Sequence, residues 1–127
     1  MRKRWQSRAG PNVTFTGAVS REVILDHLSR ARVLILPGVE DFGITPLEAM
    51  ACGTPVVALG EGGVRDSVIP GVTGIFFDAP AVNSLSRALD EAESRVWDRA
   101  AIRAHAATFS RERFHRQLLD AIRQVTA

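Results

Sequence analysis

The sequence predicts an α/β fold built on a parallel sheet. Three observations carry this. Short apolar runs alternate with segments of helical periodicity, the order of elements that sets parallel strands in one sheet with helices between them. Residues 33–36 are apolar throughout, as expected for a strand covered on both faces. A glycine run, Gly60 to Gly63 apart from Glu61, follows a predicted strand, on the side where open α/β sheets bind ligands.

The elements can be justified in order. Residues 1–10 form a basic segment, read as a frayed terminus or a helix remnant. Residues 11–127 form one domain, which the length of 127 residues allows. Pro11 and Asn12 make a turn, and residues 13–16 read as a short strand ending at Gly17. Ser20 caps a helix to about Arg30, with Val23, Ile24, Leu25 and Leu28 on one face. Pro37 and Gly38 end the strand at 33–36. A loop with Gly43 leads to the next helix. Thr45 suits its N-cap, Pro46 its first position, and Glu48 the third, which would complete a capping box. That helix runs to about Cys52 and stops at Gly53. Residues 56–59 are the next strand. A turn at 71–74 and a strand at 75–77 follow. Residues 81–93, 99–108 and 111–125 are helical, the last capped by Ser110. Phe109, Phe114, Leu118, Leu119 and Ile122 are expected in the core. Trp97, His105 and His115 read as structural or surface residues, and His27 as a surface one.

Composition narrows the function classes. Hydrophobic content of 46% and charged content of 24% fit an ordinary globular domain. Net charge is +2, but Arg2, Lys3, Arg4 and Arg8 supply four of the 16 basic residues, and 14 acidic residues face the remaining 12. The basic character belongs to the tail. A tail with Trp5 as its single aromatic is a poor nucleic-acid reader, though it can meet membrane phosphates at the periphery. The lone Cys52 cannot form an internal disulfide and has no activating neighbours in sequence. No metal-ligand spacing is present. No signal peptide or span-length apolar run is visible, and a cytoplasmic chain is expected.

The chemistry gathers in residues 40–58, EDFGITPLEAMACGTPVVA. Glu40 and Glu48 flank a loop and a helix start. The backbone amides near Gly43 to Thr45 and the positive end of the helix dipole converge there, a point suited to an anion such as a phosphate. Gly43 lets the backbone approach it closely. Taken alone, Glu48 reads as a cap and Glu40 as a solvated loop carboxylate.

This string resembles the signature of the retaining glycosyltransferases of family 4, which have the GT-B fold: E-x-F-G-x-x-x-x-E-A-M-A-x-G-x-P-V-V-A. Asn12, Val13, Phe15 and Gly17 match that family's N-V-x-F-x-G. The resemblance implies a Rossmann-like, three-layer parallel sheet, the later part of the C-terminal donor-binding domain. It implies Glu40 beside the donor sugar and diphosphate, as the catalytic residue. It implies donor binding by Glu48 at the ribose and by Asp41, Phe42, Gly43, Ile44 and Thr45 around sugar and phosphates. Gly62 and Gly63 would also meet the donor, although Arg65 and Asp66 stand where the family's G-G-x-P-E-x-V has proline and glutamate. Asp41 beside Glu40 is similar to members that use mannosyl donors. No metal or other cofactor is implied, the nucleotide-diphosphate sugar being a substrate.

The resemblance also shows what is missing. The acceptor-binding N-terminal domain, the first two strands of the C-terminal domain and its Arg–Lys pair at the diphosphate have no counterpart, so the chain is expected to be a fragment. In the strand order 3-2-1-4-5-6 the missing strands lie between residues 13–16 and 33–36. Either these two segments pair directly, or an open edge recruits another chain. The family's terminal helix crosses back toward the N-terminal domain, and 111–125 matches it. The alternative function is a non-catalytic nucleotide-binding or interaction module.

Overall fold

A computed structural model describes residues 2–127, with Met1 of the basic segment outside the described residues. The elements are α1 (Arg2–Gln6), α2 (Arg21–Arg30), β1 (Leu34–Leu36), α3 (Ile44–Ala51), β2 (Val56–Leu59), α4 (Val64–Ser67), β3 (Gly74–Phe77), α5 (Val82–Ser94), α6 (Arg99–Ala107) and α7 (Arg111–Thr126). The three strands form one parallel sheet in the order β1-β2-β3.

β2 explains the layering. All four of its residues are buried, and alternate side chains go to opposite faces. Val56 and Ala58 join Met50 of α3, Ile102 of α6 and Leu28 of α2 in one core. Val57 and Leu59 join Ile75, Phe77 and the α5 residues Ala88 and Ala92 in the other. The result is helices, sheet, helix. Trp97 packs against both cores, and its Nε1 donates to the Ala92 carbonyl at 2.9 Å. It is structural, as expected.

Chain ends of helices follow local chemistry. Ser20 accepts from the Val23 N–H and Ser110 from the Arg113 N–H, as the sequence predicts. Asp98 caps α6 through the N–H groups of Ala100 and Ala101. α3 ends in two reciprocal bonds: Gly53 N–H to the Met50 carbonyl (2.8 Å) and Thr54 N–H to the Ala49 carbonyl (2.9 Å). Gly53 has φ of 78°, the left-handed residue this ending requires.

Three expectations are corrected. Residues 13–16 form no strand. In the sheet, β1 pairs with β2. Nor is β1 covered on both faces: Ile35 is 40% exposed, while Leu34 and Leu36 pack against the first core. The third correction concerns the last helix. α7 contains no buried residue. Phe109, Phe114, Leu118, Leu119 and Ile122 are 43–59% exposed. Helical spacing gives α7 an apolar face, and among the described residues that face stays exposed.

A prediction follows from α7. Removing residues 111–127 is expected to shift the melting temperature by no more than about 3 °C, because little core is lost, at roughly 2–4 °C per kcal/mol for a domain somewhat larger than this. Thermal unfolding followed by circular dichroism checks it. A fall above about 10 °C would mean the helix is packed in solution. Among the described residues, no helix is long and apolar enough to cross a membrane.

Candidate functional site

The sequence-predicted residues lie in two loops that leave the C-terminal ends of β1 and β2. The loops are joined. Glu40 and Gly62 form a parallel bridge beyond the strands, and the Gly63 N–H donates to the Glu40 carbonyl at 2.7 Å. Both glycines are needed for that approach. A Cβ on Gly62 would lie 2.5 Å from the Glu40 carbonyl oxygen, at φ of +74°, and one on Gly63 would lie 2.4 Å from the Asp41 oxygen. Gly62 and Gly63 thus bring the two loops into backbone contact, a structural role that their sequence position did not disclose.

The start of α3 differs from its expected form. Its N-cap is Gly43, left-handed at φ 78° and ψ 45°, with no side-chain cap. Thr45 is therefore the second helical residue and Pro46 the third, and no capping box with Glu48 forms. The backbone turns into the helix two residues early because the loop is already fixed against Gly62 and Gly63. Proline remains acceptable at the third position, where an N–H has no intrahelical partner. The consequence is electrostatic. The N–H groups of Gly43, Ile44 and Thr45 donate to no group among the described residues. Three free donors and the positive dipole end coincide.

The two glutamates are both half-buried. Glu40 makes no ion pair among the described residues. Glu48 lies one turn into α3, roughly 6 Å along the axis from Ile44. Its Oε1 is 3.5 Å from Arg21 Nη1, on the first residue of α2. Arg21 was not anticipated. The pairing joins residues 27 apart, and nothing local announces it. Asp41, Phe42, Ile44 and Thr45 are exposed, Phe42 by 73%. Gly43 is buried.

Ser67 is the other unanticipated residue. Its Oγ is buried and has no hydrogen-bond partner among the described residues. It lies 3.7 Å from where a Gly43 Cβ would be. The backbone of Ser67 is held from the far side, by His105 Nε2 donating to its carbonyl at 2.7 Å. An unmet buried hydroxyl costs about 1–3 kcal/mol. Ser67→Ala is accordingly expected to be neutral or to raise the unfolding free energy by about 1 kcal/mol, read by denaturant unfolding. A loss of 2 kcal/mol would show that the hydroxyl is satisfied in solution.

Arg65 takes the place of the expected proline. Its Nε donates to the Gly60 carbonyl, and its guanidinium lies 6.0 Å from the Phe76 ring centre. It braces the second loop from within.

Comparisons with known proteins bear on this site. Residues 2–113 match the family described as Glycosyl transferases group 1. A D-inositol 3-phosphate glycosyltransferase of Mycobacterium sp. (strain KMS) is 41% identical over 102 residues, covering 77% of this chain and 23% of that protein. The protein of that description from Mycobacterium tuberculosis (strain F11) is 38% identical over 120 residues, covering 88% and 25%. Among solved structures, a sucrose-phosphate synthase from Thermosynechococcus elongatus superimposes with a TM-score of 0.76 at 32% identity, covering 98% of this chain and 34% of that one. The chain spans about a quarter of the length of the curated relatives it matches.

Proposed function

This chain belongs to the family of group 1 glycosyl transferases, and from that premise we propose that it is part of the C-terminal donor-binding domain of a retaining, metal-independent GT-B glycosyltransferase. A nucleotide-diphosphate sugar binds where α3 begins. The observation that carries this reading is the Gly43-formed start of α3, with three free N–H donors between two half-buried carboxylates.

Each group has a task in this reading. The N–H groups of Gly43, Ile44 and Thr45 receive diphosphate oxygens. They stabilise the charge that grows on the leaving group as the glycosidic bond breaks, and they need no reorganisation to do so. The dipole adds about 0.3–2 kcal/mol. Glu48 accepts hydrogen bonds from the ribose hydroxyls, which first requires the long contact with Arg21 to loosen. Glu40, with Asp41 and Phe42, borders the donor sugar. Gly62 and Gly63 hold the second loop against it. The acceptor is bound by an N-terminal domain outside this chain. The exposed face of α7 is where the remainder of such a protein, or another chain, would pack.

Calorimetric titration of the chain with UDP, GDP and ADP tests the reading. One nucleoside diphosphate is expected to bind at least ten-fold more tightly than the other two and than inorganic phosphate. If all three bind no better than phosphate, the donor-binding assignment fails.

A further inference from the structure

A cavity of about 410 Å³ lies at the opposite end of the sheet. Val33, just before β1, and Pro55, just before β2, form part of its floor with Leu89 and Trp97. Strands of three and four residues set it roughly 10–13 Å from the loops described above. It is a different place, and the family's chemistry does not need it.

Arg32, Arg95 and Arg99 are among the residues that line the cavity. Each is held. Arg32 Nη2 donates to Glu93 Oε1 at 2.6 Å. Arg95 Nη2 donates to Glu91 Oε1 at 2.7 Å, and its guanidinium carbon is 5.9 Å from the Trp97 ring centre. Arg99 Nη2 donates to the Ser29 carbonyl (2.9 Å) and to Thr54 Oγ1 (3.1 Å). Thr54 is fully buried and donates in turn to the Leu28 carbonyl. Arg99 is thus fixed by two neutral partners, and its charge is not cancelled. Three cations face two carboxylates, leaving one positive charge in excess.

A fixed guanidinium fork beside an apolar, aromatic floor recognises a particular ligand shape. The fork takes a carboxylate, often in two parallel bonds. The floor takes a flat apolar body, and the space is of the size that small-molecule sites offer. We propose that this cavity is a second binding site, for a small carboxylate attached to a planar apolar group. It stands independently of the donor-site reading.

Trp97 makes the test direct. The chain has two tryptophans, Trp5 and Trp97, so an indole-¹⁵N-labelled sample has two ring N–H signals. Trp5 lies 5.9 and 5.8 Å from the guanidinium groups of Arg4 and Arg8 and is half exposed, so it reports any unspecific attraction of the probe to arginine and indole. The probe is 1-naphthoate. The Trp97 signal is expected to move saturably while that of Trp5 stays, with affinity at least ten-fold above that of 1-naphthalenemethanol. Arg95→Gln, an exposed position, is expected to weaken 1-naphthoate at least ten-fold with the spectrum otherwise unchanged. Arg32→Gln, which also frees Glu93, is expected to weaken it by a similar factor. Equal binding of the alcohol, parallel movement of Trp5, or unchanged affinity in Arg95→Gln would each overturn the proposal.

Discussion

Glu48→Ala is expected to lower nucleoside-diphosphate affinity by about 10- to 100-fold while the fold loses less than about 1 kcal/mol. The two halves of this result have separate causes. Charge-assisted hydrogen bonds to ribose are worth roughly 1.5–3 kcal/mol, and each 1.4 kcal/mol is a factor of ten in affinity. For stability, Glu48 caps nothing in α3, and its ion pair with Arg21 spans 3.5 Å to a side chain that is 73% exposed. Exposed pairs of this kind contribute about 0–1 kcal/mol. Had Thr45 been the cap and Glu48 its partner, the melting temperature would move as well. Calorimetry and thermal unfolding on the same sample distinguish the cases. Unchanged affinity would remove Glu48 from the site. Glu48→Gln, which keeps the shape, should recover only part of the binding.

The second large effect is expected at Gly62→Ala. A left-handed backbone costs a non-glycine residue about 1–2 kcal/mol. Here the new Cβ would also lie 2.5 Å from the Glu40 carbonyl oxygen and 2.9 Å from Val39 Cγ1, and crowding of this order adds about 1–3 kcal/mol. The total is roughly 2–5 kcal/mol, on the order of 10 °C in melting temperature. Nucleotide binding should fall too, because displacing Glu40 displaces the loop that positions Gly43. Gly38→Ala is the control. A Cβ there meets nothing within 4 Å, so it should fold and bind as the parent chain does. If Gly62→Ala melts with the parent, the two loops are not in contact in solution.

Much of the fold was legible because its determinants are local. Gly53 and Pro55 bracket the α3–β2 turn, and the left-handed bonding at Gly53 is what such a glycine predicts. β2 reads as four apolar residues in a row because both of its faces are covered. Ser20 and Ser110 cap where their position says they should. What was not legible depends on distant chain. Residues 13–16 have strand composition, but a strand also needs a ladder of backbone bonds in register, which composition does not supply. The α7 pattern says which face is apolar; it does not say that anything here covers that face. The start of α3 lies between. Thr45 has the local chemistry of a cap, but Gly43 is the N-cap, because residues 40–42 lie against Gly62 and Gly63, a contact that no local rule contains. Arg21 and Ser67 escaped notice for the same reason.

The Glu40–Gly62 bridge is in effect one more rung of the sheet, placed after the strands have ended. Since adjacent positions along an extended chain point to opposite sides, adding or deleting a single residue between Leu36 and Glu40 would swing the carboxylate away from its neighbours, whatever happened to stability. Length, more than composition, is then what fixes where this carboxylate points. Loop grafting between family members should transfer the segments after β1 and β2 together, as one inherited piece.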